Sequence, residues 1–219
     1  MAGPHENLEH AEHAQHAAHG GGENNKKIAL IISVLALCLA FSETFGKSAQ
    51  TAALNFQIEA SNLWNFFQAK NIRRTLTIVA SETAKIEAAA ADGPRKAALE
   101  KQVDTWTKMA ARYQSEPEAG GGKGEGTREL ARRAQETEKL RDLQLNKYHN
   151  FEFASAAFQI GIVLASSAVI TSMMALAYAA IGVGLLGIVL TGTGLFLPDL
   201  LHNILHWFET LFASGGGGH

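Results

Sequence analysis

The chain has 219 residues, and its formal net charge of −2 conceals a strong segregation of charged side chains. Of the 19 Lys and Arg residues, 17 lie between Lys47 and Asn150, whereas no charged residue occurs between Phe153 and Pro198. Long uncharged apolar runs exclude a simple water-soluble globule and predict membrane spans, because a helix needs about 20 apolar residues to cross a bilayer.

Residues 1–25 are expected to form a flexible, polar tail in which four histidines recur at intervals of three. On a helix this spacing places the side chains along one face, and imidazoles bind zinc, copper or nickel. The low hydrophobicity and the glycines that follow favour a disordered tail with adventitious affinity for divalent metal, so no resident cofactor is expected. The candidate metal ligands are His10, His13, His16 and His19.

Residues 26–45 predict the first transmembrane helix. Lys26 and Lys27 precede an apolar run from Ile28 to Phe45, and this charge favours a cytoplasmic N-terminus. Glu43 is the one charged residue in the run and is expected at the far membrane boundary, where it is a candidate packing residue. The single cysteine lies in the same run and cannot form an internal disulfide.

Residues 46–150 predict a long helical stalk that folds back on itself. The helix signal continues without Pro or Gly to residue 92, and Gly93 and Pro94 are typical of one helix ending and another beginning. A Gly-rich connector at residues 117–126 lacks the Gly-Lys-Ser/Thr ending of a phosphate-binding loop. Without the connector, the outgoing arm has 46 residues and the returning arms have 23 + 24 = 47. These lengths predict an antiparallel hairpin of about 70 Å with its tip near residues 92–94.

A stripe of apolar and small residues along the outgoing arm recurs at alternating steps of four and three, which is typical of coiled coils. The stripe continues only if one phase shift is allowed, and both parts are then expected to pack within the stalk and against other subunits. The first part is Ala49, Ala53, Phe56, Ala60, Leu63 and Phe67, and the second is Ile72, Leu76, Val79, Thr83, Ile86 and Ala90.

Residues 151–197 are too long for one span and predict two, with a tight turn near Met173 and Met174. Gln159 is expected to face a neighbouring helix and to form a hydrogen bond there, because it lies in an apolar span. Gly184 and Gly187 belong to a stripe of small residues that permits close helix packing. A conduction path is not expected, since such paths usually contain several buried ionisable groups.

Residues 198–219 predict a short amphipathic helix at the membrane surface and a Gly-rich end. Its polar face consists of residue types that bind metals, spaced at three, four and three residues. We favour the simpler interpretation that these side chains provide the polar face that any interfacial helix needs. The residues are Asp199, His202, His206 and Glu209.

One string of residues, Trp64-Asn65-Phe66-Phe67-Gln68-Ala69-Lys70, is the most specific part of a family resemblance. Glu43, Gln159 and the junction at residues 148–151 contribute to it, as does the order of His-rich tail, span, long polar helices and two spans. On these features the chain from Glu6 to Leu197 resembles a bacterial membrane family catalogued as domain of unknown function 4337. The resemblance implies an inner-membrane location and no established activity. Family members often carry arginines in the last turn between spans, and this chain has none there.

The Trp64–Lys70 string has a structural and a functional interpretation. Trp64 and Phe67 lie one helical turn apart and are expected to lock the arms together, with Gln68 in the same string. Lys70 and Arg73, together with Arg74, are expected to pair with acids on the returning arms such as Glu116, Glu118 or Glu129. The alternative is a docking patch for a partner, because exposed aromatics beside arginine are frequent in binding hot spots.

Together these features predict an all-α membrane protein with three transmembrane helices, a long antiparallel coiled-coil-like stalk and a short C-terminal amphipathic helix. We expect a non-enzymatic homo-oligomer, or a subunit of a larger complex, that scaffolds or docks a partner in the bacterial inner membrane. No catalytic constellation and no small-molecule site is recognisable. The interspersed charges of the middle region argue against nucleic-acid binding. The alternative is a metal-handling membrane protein that uses its histidines.

Overall fold

The computed structural model describes residues 23–116 and 124–200, and within this part of the chain it is helical with no strand. Three of its helices contain stretches long and apolar enough to cross a membrane, namely α1, α3 and α4. The all-α class and the three potential spans are therefore confirmed. The helices are α1 (Glu23–Ala89), α2 (Gly93–Gln114), α3 (Thr127–Thr171) and α4 (Met174–Phe196).

The break between α1 and α2 falls at the predicted glycine. Gly93 has a φ of 59°, in the left-handed region that residues without a β-carbon adopt at least cost. Pro94 follows in the first turn of α2, where backbone N–H groups have no partner within the helix, so the N–H that proline lacks is not needed. The last turn of α1 tightens, with the N–H of Ala90 bonding to the carbonyl of Glu87 at 3.1 Å.

The break between α3 and α4 comprises Ser172 and Met173, one residue before the position predicted. Ser172 has a φ of 55°, a conformation that non-glycine residues seldom adopt. The N–H of Leu176 bonds to the carbonyl of Met173 at 3.1 Å and so starts α4. Two residues are therefore enough to connect two helices that are each long enough to span a bilayer.

The chain folds into two compact units, each of which packs mainly within itself. The span unit is Met1–Ala53 with Asp142–His219, and the polar unit is Leu54–Arg141. The core of the span unit joins α1, α3 and α4 through aliphatic residues of α1, Phe158 and small residues of α3 and α4. Its buried members are Ile28, Ile32, Leu35, Leu39, Ala154, Phe158, Ile162, Ala165, Ala168, Ala177 and Ala180.

Within the polar unit, the buried face of α1 differs from the one expected. Heptad spacing continues through Leu63 and Phe67 without a phase shift, so that the second predicted part of the stripe is exposed. The inward positions carry small or polar side chains, which let helices approach closely. We call inward residues Lys70, Arg74, Thr77, Ser81, Ala84 and Ala88 the inner stripe, and exposed residues Ile72, Leu76, Val79, Thr83, Ile86 and Ala90 the outer stripe.

The other two helical segments of the polar unit also present small residues inward. On α2, Ala110 is buried and Val103 is half-buried, whereas Met109 is 41% exposed. On α3, Leu130 and Ala134 are buried, but Leu140 is 46% exposed. The large apolar side chains are thus only partly used in packing within this unit.

Candidate functional site

Trp64 is engaged within the polar unit. Its indole Nε1–H donates a hydrogen bond to Oε1 of Glu138 at 2.9 Å. Its ring meets that of Phe67 edge to face, with centroids 5.4 Å apart and planes at 83°. Both aromatic side chains are half-buried against a small apolar cluster of Leu63, Leu130 and Ala134. The aromatic part of the Trp64–Lys70 string therefore joins α1 to α3.

Lys70 is 7% exposed, which is unusual for a lysine and requires nearby anions. Its Nζ lies 3.4 Å from Oε2 of Glu116 and 3.5 Å from Oε2 of Glu125. The same Nζ is 5.4 Å from the ring centroid of Phe66, within cation–π range. Lys70 thus binds the residue just before the Gly-rich connector and a residue near the connector's end.

Glu116 and Glu129 form a polar cluster where the connector leaves α2. The Arg112 guanidinium, which bonds to Glu116, lowers the pKa of that carboxyl, and Lys70 adds to the effect. The Ser115 hydroxyl donates to Oε1 of Glu129 at 2.7 Å and is the main cause of the lowered pKa of Glu129. Glu129 thus holds the end of α2 and takes no part in the expected pairing with the basic residues of α1.

The remaining basic residues of the string have different roles from Lys70. Arg74 is half-buried and donates to the side-chain oxygen of Gln114 at 3.1 Å, so its observed partner is an amide. Arg73 and Gln68 are exposed. Glu118, one of the expected partners, lies outside the described residues. Arg73 and Gln68 are therefore the members of the predicted site that face outward.

Two glycines of α4 fit against bulky side chains in the span unit. A β-carbon added at Gly184 would lie 2.5 Å from Cδ2 of Leu35, and one at Gly187 would lie 2.7 Å from Cε1 of Phe158. Real β-carbons essentially never approach other atoms within 3.0 Å. The small residues therefore admit Leu35 and Phe158 to the interface.

Glu43 and Gln159, the other two residues singled out in the spans, are both half-buried. Ser42, beside Glu43, donates a buried hydrogen bond to the carbonyl of Phe151 at 3.0 Å. Gln159 forms no hydrogen bond within residues 23–116 and 124–200. The helix-to-helix bond expected for this amide is therefore not made to another described part of the same chain.

Asn150 is a buried polar residue that the sequence analysis did not identify. Its side chain is almost completely enclosed, and its Nδ2 donates to the carbonyls of Asn146 and Pro198, both at 3.0 Å. Its Oδ1 is buried without a partner among the described residues. The sequence signal available was an asparagine close to the start of the uncharged segment at Phe153, which predicts a hydrogen bond but not its distant acceptor.

Of the candidate metal ligands, Asp199 is the one within the described residues, and its Oδ1 accepts a hydrogen bond from Nδ2 of Asn146 at 2.9 Å. In this part of the chain, no three His, Cys, Asp or Glu residues are grouped so that they could hold a metal ion. The others lie outside the described residues, namely His10, His13, His16, His19, His202, His206 and Glu209.

A family model described as domain of unknown function (DUF4337) matches residues 24–197. The chain belongs to this family. The match extends from the start of α1 to the end of α4 of this DUF4337 protein, so it covers the whole polar unit and most of the span unit. No curated protein and no solved structure matches the chain.

Proposed function

We propose that this DUF4337 protein is a non-enzymatic, oligomeric scaffold or accessory subunit of a membrane complex. It docks its partner through a helical stalk and through its membrane helices. The three helices that are long and apolar enough to cross a bilayer support the membrane part of the proposal.

The polar unit supplies the stalk, which we propose to be an antiparallel, coiled-coil-like hairpin. Side-chain contacts support this arrangement because the residue numbers of the partners fall as those on α1 rise. The pairs are Gln57 with Arg141 at 2.8 Å, Trp64 with Glu138 at 2.9 Å, Arg74 with Gln114 at 3.1 Å and Ser81 with Thr107 at 3.3 Å.

The observation that carries the proposal is where the apolar side chains lie. Packing within the polar unit uses the small and polar inner stripe, while the large residues of the outer stripe remain exposed. In the span unit, Gln159 is half-buried and has no bonding partner within the described chain. An amide in a span is stabilised when a neighbouring helix provides a partner. Both units thus present groups suited to contact with further subunits.

The proposed location is the bacterial inner membrane with a cytoplasmic N-terminus. Lys26 and Lys27 support this orientation because basic residues beside a span favour the cytoplasmic side. An odd number of spans then places the polar unit and the C-terminus in the periplasm. Labelling of an Asp92→Cys variant with a membrane-impermeant maleimide in intact cells tests the orientation, with Cys38→Ser as the background. Labelling is expected before lysis, and labelling only after lysis would reverse the orientation.

The experiment that tests the function is a mass measurement on the full chain extracted from native membranes into lipid nanodiscs. A homo-oligomer or a complex of fixed stoichiometry is expected, and crosslinks should connect the polar unit to its partner. A partner-free monomer at native abundance, with no crosslink to any other chain, would refute the scaffold proposal.

Metal handling is the second candidate, and no contact in the described residues favours it. Its test is calorimetry with Zn²⁺, Cu²⁺ and Ni²⁺ on the full chain and on a variant in which the four tail histidines become alanine. Tight binding that the variant loses would support a metal function. Weak binding that is the same in both proteins would dismiss the tail as a site.

A further inference from the structure

The outer stripe of α1 is an exposed apolar surface in the polar unit. Its residues follow steps of four, three, four, three and four, which keep them on one side of a helix for about 27 Å. The four large members are well exposed, with Ile72 at 60%, Leu76 at 64%, Val79 at 54% and Ile86 at 74%. Contiguous exposed apolar surfaces of this kind mark interaction sites.

Packing within the polar unit does not require the outer stripe. The inner stripe of the same helix supplies the contacts with α2, including the Ser81–Thr107 pair. Over residues 70–90 the face turned toward the rest of the unit is therefore more polar than the face turned away from it. This reversal of the usual pattern indicates that a partner covers the outer face.

The spacing of the stripe identifies a helix as the partner. Alternating steps of three and four give a mean repeat of 3.5 residues, the repeat that keeps one helix in contact with another along its length. A flat membrane surface requires no such repeat. Interfacial helices also tend to carry mainly Lys and Arg beside their apolar face, whereas Glu82 and Glu87 border this stripe together with Arg73.

The flanking charges fit a second copy of the same helix. If two stripes pair in opposite directions, Ile72 of one copy meets Ala90 of the other, and Arg73 then lies beside Glu87 at both ends. A parallel pairing would instead bring Glu82 beside Glu87. The stripe from Ile72 to Ala90 spans fewer than three heptads, which makes a short interface. Confinement of the copies to one bilayer raises their effective concentration and offsets the small interface.

We propose that the outer stripe of α1 is the self-association surface of this protein, packing against the outer stripe of a second copy. The inference rests on the proposed function, which includes oligomerisation, and it names the residues through which the copies associate. It adds that large apolar side chains of the polar unit, and not the spans alone, hold the copies together.

The principal test compares two double variants of the full chain in lipid nanodiscs. Leu76→Glu with Ile86→Glu places two charges in the outer stripe. Met109→Glu with Leu140→Glu places the same two charges at exposed apolar positions on α2 and α3. Mass measurement should show that the stripe variant falls to the monomer, while the matched control keeps the wild-type mass. Circular dichroism should give equal helicity for both, because all four positions are exposed.

A second measurement keeps the test informative even if the charged variant misfolds. Val79→Cys in a Cys38→Ser background places one thiol near the middle of the stripe, where the two copies meet in either direction of pairing. A short bis-maleimide added to native membranes should crosslink it to a dimer at least tenfold more than Leu140→Cys.

Three results would overturn the proposal. One is an oligomer of the same mass in the wild type and in the stripe variant. This result would assign self-association to another surface and would not contradict the scaffold function. Another is Val79→Cys crosslinking no better than Leu140→Cys. The third is labelling of the Val79→Cys thiol by a photoactivatable lipid in the absence of any crosslinked dimer. This result would assign the stripe to the membrane surface. A partner-free monomeric wild type would instead refute the scaffold function itself.

Discussion

The close fit between Gly187 and the Phe158 ring permits a quantitative prediction for Gly187→Ala. The added methyl would lie 2.7, 2.9 and 2.9 Å from three ring atoms, so the nearest contact must lengthen by 0.7 Å to reach the ordinary limit of 3.4 Å. Phe158 is only 1% exposed and is held in the core of the span unit, so the ring has little room to move. Overpacking of this kind costs about 1–3 kcal/mol of unfolding free energy.

Gly182→Ala is the matched control on the same helix. Nothing lies within 4 Å of a β-carbon built at Gly182, so this variant adds a methyl without a clash. Both substitutions lie inside α4 and carry the same gain in helix propensity, about 0.5–1 kcal/mol. The propensity terms cancel in the comparison. Gly187→Ala should therefore be about 1–3 kcal/mol less stable than Gly182→Ala.

The assay is unfolding of the full chain in mixed detergent micelles, followed by circular dichroism as the SDS fraction rises. A third variant, Phe158→Leu, gives Gly187→Ala a smaller neighbour, so the penalty of the alanine should shrink in the double variant. Equal unfolding midpoints for Gly187→Ala and Gly182→Ala would refute the assigned packing of α4 on α3. An undiminished penalty beside Phe158→Leu would refute the role of the ring.

Three further predictions concern the polar unit. Trp64→Phe keeps an aromatic ring but removes the hydrogen bond to Glu138, so it should lower the free energy of unfolding by about 1 kcal/mol. In a Glu138→Ala background the same substitution should cause no further loss. Additive losses in the double variant would contradict the contact. Gly93 has a φ of 59°, so Gly93→Ala should lower the free energy of unfolding by about 1 kcal/mol, and Gly93→Asn should lower it less. Equal melting temperatures for the wild type and both variants would argue against this turn. The pKa values of Glu116 and Glu129 are lowered from the ordinary glutamate value of 4.5. The two ionised carboxylates therefore stabilise the fold above pH 4.5, and this stabilisation is lost as the pH falls through the lowered pKa values. Glu116→Gln with Glu129→Gln should therefore flatten the fall in melting temperature below pH 4.5, and an unchanged acid profile would contradict this linkage.

The ends of the helices could be read from the sequence because single residues determine them. Gly93 and Pro94 change the backbone locally and mark the break between α1 and α2 without any tertiary contact. The segments able to span a membrane could be predicted for a similar reason, since the absence of charge from Phe153 to Pro198 is a property of the sequence alone. Local chemistry was therefore sufficient for both features.

The buried face of α1 could not be read in the same way. Hydrophobicity favours Ile72 and Leu76 as core residues, and a heptad stripe can be drawn through them. The structure instead buries Ser81 and Ala84 of the inner stripe, because small side chains allow neighbouring helices to come closer. Which of two possible stripes faces inward depends on the shape of helices far along the chain.

The contacts of the Trp64–Lys70 string show the same limit. The pairing of Lys70 with acids could be predicted, but its burial depends on Glu116, just before the connector, and on Glu125, near the connector's end. The bond between Trp64 and Glu138 joins residues 74 positions apart. Asn150 was missed because its second acceptor, the carbonyl of Pro198, is 48 positions away.

The two-residue break at Ser172 and Met173 has a consequence for biogenesis. The whole segment from Phe153 to Pro198 is uncharged, so inserting it into a bilayer would place no charged side chain in the hydrocarbon. Two helices joined this tightly can leave the translocon as one preformed hairpin, and the uncharged link does not by itself determine the side on which it ends. In the orientation proposed above, this link lies on the cytoplasmic side, as do Lys26 and Lys27 near the start of α1. An arginine introduced at Ser172 would therefore reinforce that orientation.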